Sequence, residues 1–401
     1  MRKFLLVFLI FSLLLTSGCG GAKNNSSEVK KNNATTLTED QKALLKINNY
    51  ATTPPKHINV EYKIIQPYDD YWDYNHQTCI TKFKDKLFVA YSTSHDGEGQ
   101  PGTHIMVTST DNYENWETPY AVVPLAHGYY SDVLSVPVGF YATNEQMNLY
   151  YFVGEYEPSS LSAPNKRPST DGHNLWRKWY YKTTKDGVNW SEPVEMGLTG
   201  TAIAGVKKTS SGRLFMTSAN GYYYTDDPTG LTGWKLDNFE NDLTIWEQRG
   251  LEEKGRYQES NLYEFGGYIY LLCRSGTEYM VGARTKDFGD TWSKPSVTSF
   301  SENATKFGFF NMPDGRIAYV GSPGLEDNRL PLMLCLSENG FDFDKQYVLA
   351  DEPYTVKKPG FAKSGHYGYP AVYADDEYIY AAYSKGKEII EVARVKLSDL
   401  N

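Results

Sequence analysis

The sequence predicts an all-β chain of repeated antiparallel units, and three observations carry that prediction. First, a short phrase recurs after apolar or aromatic runs. Its clearest copy is Thr285-Lys286-Asp287-Phe288-Gly289-Asp290-Thr291-Trp292, with looser copies at 109–116, 184–190, 225–234 and 337–343. Second, apolar and aromatic residues alternate between turn pairs such as Lys84-Asp85, Ser211-Gly212, Gly266-Gly267 and Asp375-Asp376. That is the period and punctuation of hairpins. Third, the 401 residues include 33 Tyr and 34 Gly but only 4 Cys, which suits a turn-rich sheet protein.

Each copy of the phrase reads as a hairpin turn. An Asp carboxylate accepts backbone N–H groups across it, Gly supplies a positive φ, and the closing aromatic packs back on the hairpin. A repeated turn implies a repeated unit.

From the N-terminus, Arg2-Lys3 and the apolar residues 4–15 read as an export signal, not a spanning helix of the mature fold. Thr16-Ser17-Gly18-Cys19 resembles a lipoprotein cleavage site, so residues 1–18 are expected to be removed and Cys19 to carry the lipid. Ordinary secretion and a plain membrane anchor are the rival readings. Lipidation would place the protein in a bacterial cell envelope, held by its N-terminal lipid alone. Residues 19–37 read as a polar tether. Thr38 and Gln41 form a capping box for a helix over 39–48, expected to pack outside the main domain, with a linker to 57.

The main domain is assigned to 58–401. Residues 58–65 read as a strand, and six units follow. They begin near residues 78, 133, 202, 260, 306 and 370, and the second contains a long loop over 155–177. Antiparallel units of roughly 40–60 residues without intervening helices point to a single β-propeller. Six or seven four-stranded blades are expected, six by count. The last unit lacks a partner strand, and the strand at 58–65 can complete it, joining the ends of the ring and removing open edges. Cys79, Cys273 and Cys335 lie in apolar runs and read as buried thiols.

The recurring turn resembles the Asp-box, or BNR, repeat of sialidase-type propellers. The resemblance implies a sialidase-like scaffold with the boxes on the outer rim. Sialidases also use three arginines that converge on a substrate carboxylate, the first from an early blade. Here no arginine stands between Arg2 and Arg167, and Tyr74-Asn75-His76-Gln77-Thr78 occupies that place. This opening, with Tyr91-Ser92, Pro101-Gly102, the run from His366 to Pro370 and the segment from Tyr383 to Arg394, is similar to propellers that attack acidic polysaccharides. These are the ulvan lyases and the rhamnose–glucuronate lyase and rhamnosidase group, described as seven-bladed. In ulvan lyases two histidines, a tyrosine and an arginine carry the reaction, and the resemblance places His76 and His95 at the histidines.

The residues themselves support candidates. His76 has the near-neutral titration that general acid–base work requires. His95 is a loop histidine beside Asp96. Tyr257, between Arg256 and Glu259, could serve as acid or nucleophile helper. Arg256, Arg274 and Arg329 could clamp a uronate carboxylate. Glu259, His127 and His366, near unit entrances, complete the expected substrate contacts. Each has a plain structural alternative, such as an ion pair between Arg256 and Glu259. No metal-ligand signature is present and no cofactor is expected, although a structural ion held by distant loops stays open.

The net charge of −9 without a basic stripe argues against nucleic acid as a partner. The expected partner is an oligosaccharide or polysaccharide, met by a monomer. The expected activity is a lyase on uronate-containing or other acidic glycans, using His or Tyr with an arginine clamp. The alternatives are an exo-acting glycoside hydrolase, sialidase-like or rhamnosidase-like, and a non-catalytic surface glycan-binding lipoprotein.

Overall fold

A computed structural model describes residues 37–163, 166–167, 174–200, 202–218, 221–238, 257–302, 305–323 and 328–400. Within these residues the chain forms six sheets, antiparallel throughout except where Lys56–His57 adds a short parallel strand beside Lys345–Ala350. Blade 1 takes Tyr74–Phe83, Lys86–Ser94, His104–Thr110 and Tyr120–Val123. Blade 2 takes Leu134–Ala142, Met147–Tyr156, Asn174–Thr184 and Val194–Glu195. Blade 3 takes Ala202–Lys208, Leu214–Ser218, Gly221–Thr225 and Lys235–Asn238. Blade 4 takes Ser260–Phe265, Tyr268–Cys273, Tyr279–Thr285 and Ser296–Ser301. Blade 5 takes Gly308–Asn311, Ile317–Gly321, Leu332–Ser337 and Lys345–Ala350. Blade 6 takes Tyr367–Ala374, Tyr378–Lys385 and Ile389–Lys396, with Glu61–Gln66 as its fourth strand.

The first strands of successive blades touch one another in cyclic order, and blade 6 returns to blade 1. The fold is therefore a closed six-bladed propeller. As expected from the missing last strand, Glu61–Gln66 pairs antiparallel with Ile389–Lys396, Glu61 opposite Arg394. The ring thus closes through backbone hydrogen bonds between chain segments more than 300 residues apart in sequence.

The Asp-box turns show why the phrase recurs. The Asp287 carboxylate accepts the Thr291 N–H at 2.9 Å and the hydroxyls of Thr285 and Thr291. Asp186 accepts the N–H groups of Val188 and Asn189, and Asn339 accepts those of Phe341 and Asp342. The glycine has a second duty. A Cβ at Gly187, Gly230, Gly289 or Gly340 would stand 2.5 to 2.9 Å from Phe88, Tyr150, Phe215 or Phe265, in each case an aromatic of the preceding blade. The closing aromatics seal the same seams. Trp292 lies 5.1 Å from Tyr222, Trp234 6.0 Å from Tyr150 and Phe343 5.9 Å from Tyr263. Each box is therefore both a turn and a staple to its neighbour.

The helix is Glu39–Leu44, capped reciprocally by Thr38 and Gln41, and is shorter than the sequence suggests. It ends early because Asn48 leaves it to bond the Phe341 carbonyl and the Asp342 side chain of the blade 5 box. It sits outside the propeller yet belongs to its core. Leu44 and Ile47 are fully buried among aromatics of blades 4 and 5. The three remaining cysteines are buried and free.

Candidate active site

In an antiparallel blade the turns after strands 1 and 3 share one end, and the entrance to strand 1 and exit of strand 2 share the other. The Asp-boxes follow strand 3, so they mark one face. The opposite face gathers strand entrances and exits near the propeller axis, and there the titratable residues converge.

Tyr369, at the entrance of blade 6, donates its phenol hydrogen to Glu259 Oε1 at the entrance of blade 4. The other oxygen of Glu259 receives Arg274 Nη1 at 2.8 Å, from the exit of the adjacent strand. Three more cations surround the Tyr369 ring. The Arg329 guanidinium carbon lies 5.8 Å from its centroid, Lys306 Nζ 5.8 Å and Lys387 Nζ 5.9 Å. Lys387 also pairs with Glu98 at 2.7 Å.

The backbone is shaped to present these groups. Tyr369, Arg329 and Lys387 have positive φ values of 52°, 69° and 55°, and Gln77, beside His76, has 55°. A left-handed conformation costs a non-glycine residue roughly 1–3 kcal/mol and is concentrated at functional sites. The innermost strands of blades 1 and 6 are bulged at the same level, between His76 and Cys79 and between Gly368 and Ala371. Bulges re-aim side chains. Gly368 is confined: a Cβ there would stand 2.9 Å from His76 Cε1 and 3.3 Å from Arg329 Nη1.

The electrostatics follow from the geometry. Burial opposes ionisation of Glu259, but Arg274 and the Tyr369 hydrogen bond outweigh it, and the carboxyl titrates below its usual range. Tyr369 is pushed well above the ordinary phenol range by burial and then by Glu259 and Glu98, so it rests as a neutral phenol. Glu302, behind Arg274, is pushed up to about 7 by burial.

The structure brings together four of the residues singled out in the sequence: Glu259, Arg274, Arg329 and His76. His76 is fully buried, its ring 4.2 Å from that of Tyr369 and its Nδ1 2.6 Å from Ser384 Oγ. Burial, with Lys387 and Arg329 nearby, holds it well below the usual histidine range and therefore neutral. The other candidates lie elsewhere. His95 stacks on Trp72 at 4.1 Å and bonds the Tyr71 carbonyl. Tyr257 packs its ring against the core shared by blades 3 and 4. His127 is exposed and paired with Asp132. His366 receives the Tyr354 N–H at 3.0 Å and so braces a loop. Arg256 and Cys19 lie outside the described residues.

Tyr369, Lys387, Lys306 and Glu98 complete the cluster without having been singled out. A signal existed for Tyr369: Gly368 and Pro370 bracket it inside an aromatic strand, which marks a bulge. No group of three or more potential metal ligands occurs among the described residues.

Comparison with known proteins matches residues 85–381 to the BNR repeat-like domain. This chain belongs to that family. Among curated proteins, none matches its sequence. Of solved structures, a protein of unknown function from Dyadobacter fermentans is 15% identical with a TM-score of 0.61, covering 84% of this chain and 99% of its own. A sialidase is 16% identical with a TM-score of 0.63, covering 88% of this BNR protein, which spans only 35% of that longer chain. A mutant of the NanB sialidase of Streptococcus pneumoniae is 12% identical with a TM-score of 0.60, covering 84% of this chain and 71% of its own. The BNR propeller is thus sialidase-like in fold.

Proposed function

We propose that this BNR propeller is a retaining glycoside hydrolase acting on a sugar that carries a carboxylate, with Tyr369 as nucleophile. The observation that carries this reading is the Tyr369–Glu259 hydrogen bond inside a ring of four cations. A neutral phenol is a poor nucleophile unless a base takes its proton, and Glu259 is ionised and in contact. Tyrosine nucleophiles are an established variation on the two-carboxylate scheme.

In the first step the Tyr369 oxygen bonds the anomeric carbon, the bond to the aglycone oxygen breaks, and the phenol proton passes to Glu259. The aglycone oxygen takes a proton at the solvent-open mouth, where Glu98 stands. Water then displaces the tyrosyl oxygen and gives up one proton to the solvent, replacing the one the aglycone took, while Glu259 returns its proton to Tyr369. Arg274 and Arg329 hold the substrate carboxylate, and Lys306 and Lys387 stabilise negative charge developing on the phenol oxygen. His76 supports Tyr369 from beneath. Incubation with an activated fluorosugar of an acidic monosaccharide tests this: a covalent mass increment on the peptide containing Tyr369 is expected, and labelling elsewhere or none sinks the assignment.

A second reading, a uronate lyase, keeps the same clamp. The arginines would neutralise the carboxylate, the adjacent carbon would lose its proton to the neutral His76, and the bond to the glycosidic oxygen would break as that oxygen takes the Tyr369 phenol proton. The contact between the His76 and Tyr369 rings favours it. An acidic glycan also suits a binder, which would show affinity without turnover.

Lipidation of Cys19 is part of the same reading and would display the propeller from a cell envelope. Cys19→Ala should shift the protein from the membrane to the soluble fraction; unchanged fractionation would refute the anchor.

A further inference from the structure

A cavity of about 790 Å³ occupies the propeller axis beneath the site and extends to the turns of the Asp-box face, at Ser210 and Gly267. We propose that this channel binds a tetrahedral inorganic oxyanion of sulfate or phosphate size, held by Lys207 and Lys306. The channel shares Lys306 with the cluster around Tyr369 but does not require the activity proposed above.

Lys207 lies on the innermost strand of blade 3, and its Nζ donates to the Leu262 carbonyl of blade 4 at 2.6 Å and to the Phe309 carbonyl of blade 5. An ammonium has three hydrogens to place, and these two bonds leave one. Lys306 stands just before the innermost strand of blade 5, is 6% exposed and lines the same cavity. Neither lysine has a carboxylate partner in an ion pair among the described residues. The carboxylate on the cavity wall, Glu264, is engaged by the Ser210 N–H and hydroxyl.

Two ammonium groups lining one cavity, with no carboxylate acting on Lys207 and only the Arg274-paired Glu259 acting on Lys306, form an arrangement that either sheds protons or takes up an anion. Burial lowers Lys207 to about 7, and Lys306 falls in the same direction. An oxyanion offers several acceptor atoms on one centre, so it can meet donors projected from different blades. Chloride presents a single charge centre and spans them less well.

The test is calorimetric titration of the full chain with sodium sulfate, ionic strength held constant with sodium chloride. Saturable binding with one sulfate per chain is expected, weakening as pH rises above about 7 because Lys207 then loses its proton. Lys306→Met and Lys207→Met should each weaken it about tenfold or more. If Lys207→Met fails to fold, Lys306→Met and Lys306→Gln carry the test. Arg274→Met should retain sulfate binding; if it alone abolishes binding, the anion sits in the upper site and the proposal is overturned. Absence of saturable binding, equal affinity in the lysine variants, or equal competition by chloride also overturns it.

Discussion

Tyr369 and Glu259 are 110 positions apart in the chain, yet the phenol of one donates directly to the carboxylate of the other. Blades 4 and 6 place them at the same end of the propeller axis. Tyr369→Phe deletes the donor oxygen and keeps the ring that covers His76. It should lower kcat on an aryl glycoside of an acidic sugar by about 10³-fold or more with circular dichroism unchanged. Glu259→Gln, which keeps a hydrogen-bond acceptor but cannot take the proton, should lose about 10²–10⁴-fold.

In the proposed reading Arg274 has two roles, holding the substrate carboxylate and lowering the Glu259 titration, and its removal separates them. Arg274→Met should raise KM for the acidic substrate through loss of a charge-assisted contact. It should also move the acidic limb of the pH–rate profile to higher pH, because Arg274 lowers the Glu259 titration. A KM change with an unmoved limb would mean that Glu259 is not the base being read.

A second buried network holds the rim of the site. Glu388 is fully buried and accepts Lys363 Nζ at 2.7 Å, the Tyr354 hydroxyl at 2.8 Å and the N–H groups of Lys357 and Lys358 at 2.9 Å. Glu388→Ala leaves Lys363 buried beside Asp73 alone. It should cost about 3–5 kcal/mol, read as a lower urea midpoint at unchanged m-value.

Much of the scaffold was legible in the sequence because its cause is local. The box residues from Thr285 to Trp292 bond one another within a few positions, and the glycine and aromatic staple the next blade wherever the phrase occurs. The missing sixth fourth strand was legible for a topological reason, since an unpaired edge requires a partner. The site was only partly legible. Arg274, Arg329 and Glu259 stood out by charge at strand ends. Tyr369 did not, because its role depends on closure of the ring and on a left-handed backbone that sequence spacing does not display. His76 was found by resemblance, but its depth beneath Tyr369 was not readable from its polar neighbours.

Asp287 offers a stability prediction with a defined sign. Its carboxyl is held down to about 2, with burial opposed by hydrogen bonds from Thr285 and Thr291. Its contribution is present above the ordinary carboxylate range and is lost as pH falls through about 2. Asp287→Ala should therefore lower stability at neutral pH by about 1–2 kcal/mol, and the difference from wild type should vanish in strong acid. Turnover should be unchanged, because the box lies on the face opposite the site.

The helix is a similar test of what belongs to the fold. Leu44 is fully buried between blades 4 and 5. Leu44→Ala should lower stability by about 2–5 kcal/mol in chemical denaturation. A loss below about 1 kcal/mol would mean that the helix is dispensable.

Proton NMR of turnover tests the central claim most directly, using an aryl glycoside of an acidic sugar and a uronate oligosaccharide as substrates. The account predicts that the first-formed sugar keeps the anomeric configuration of the substrate, since one displacement by Tyr369 and a second by water restore it. A first product of inverted configuration, or the vinylic proton of an unsaturated uronate, would contradict it.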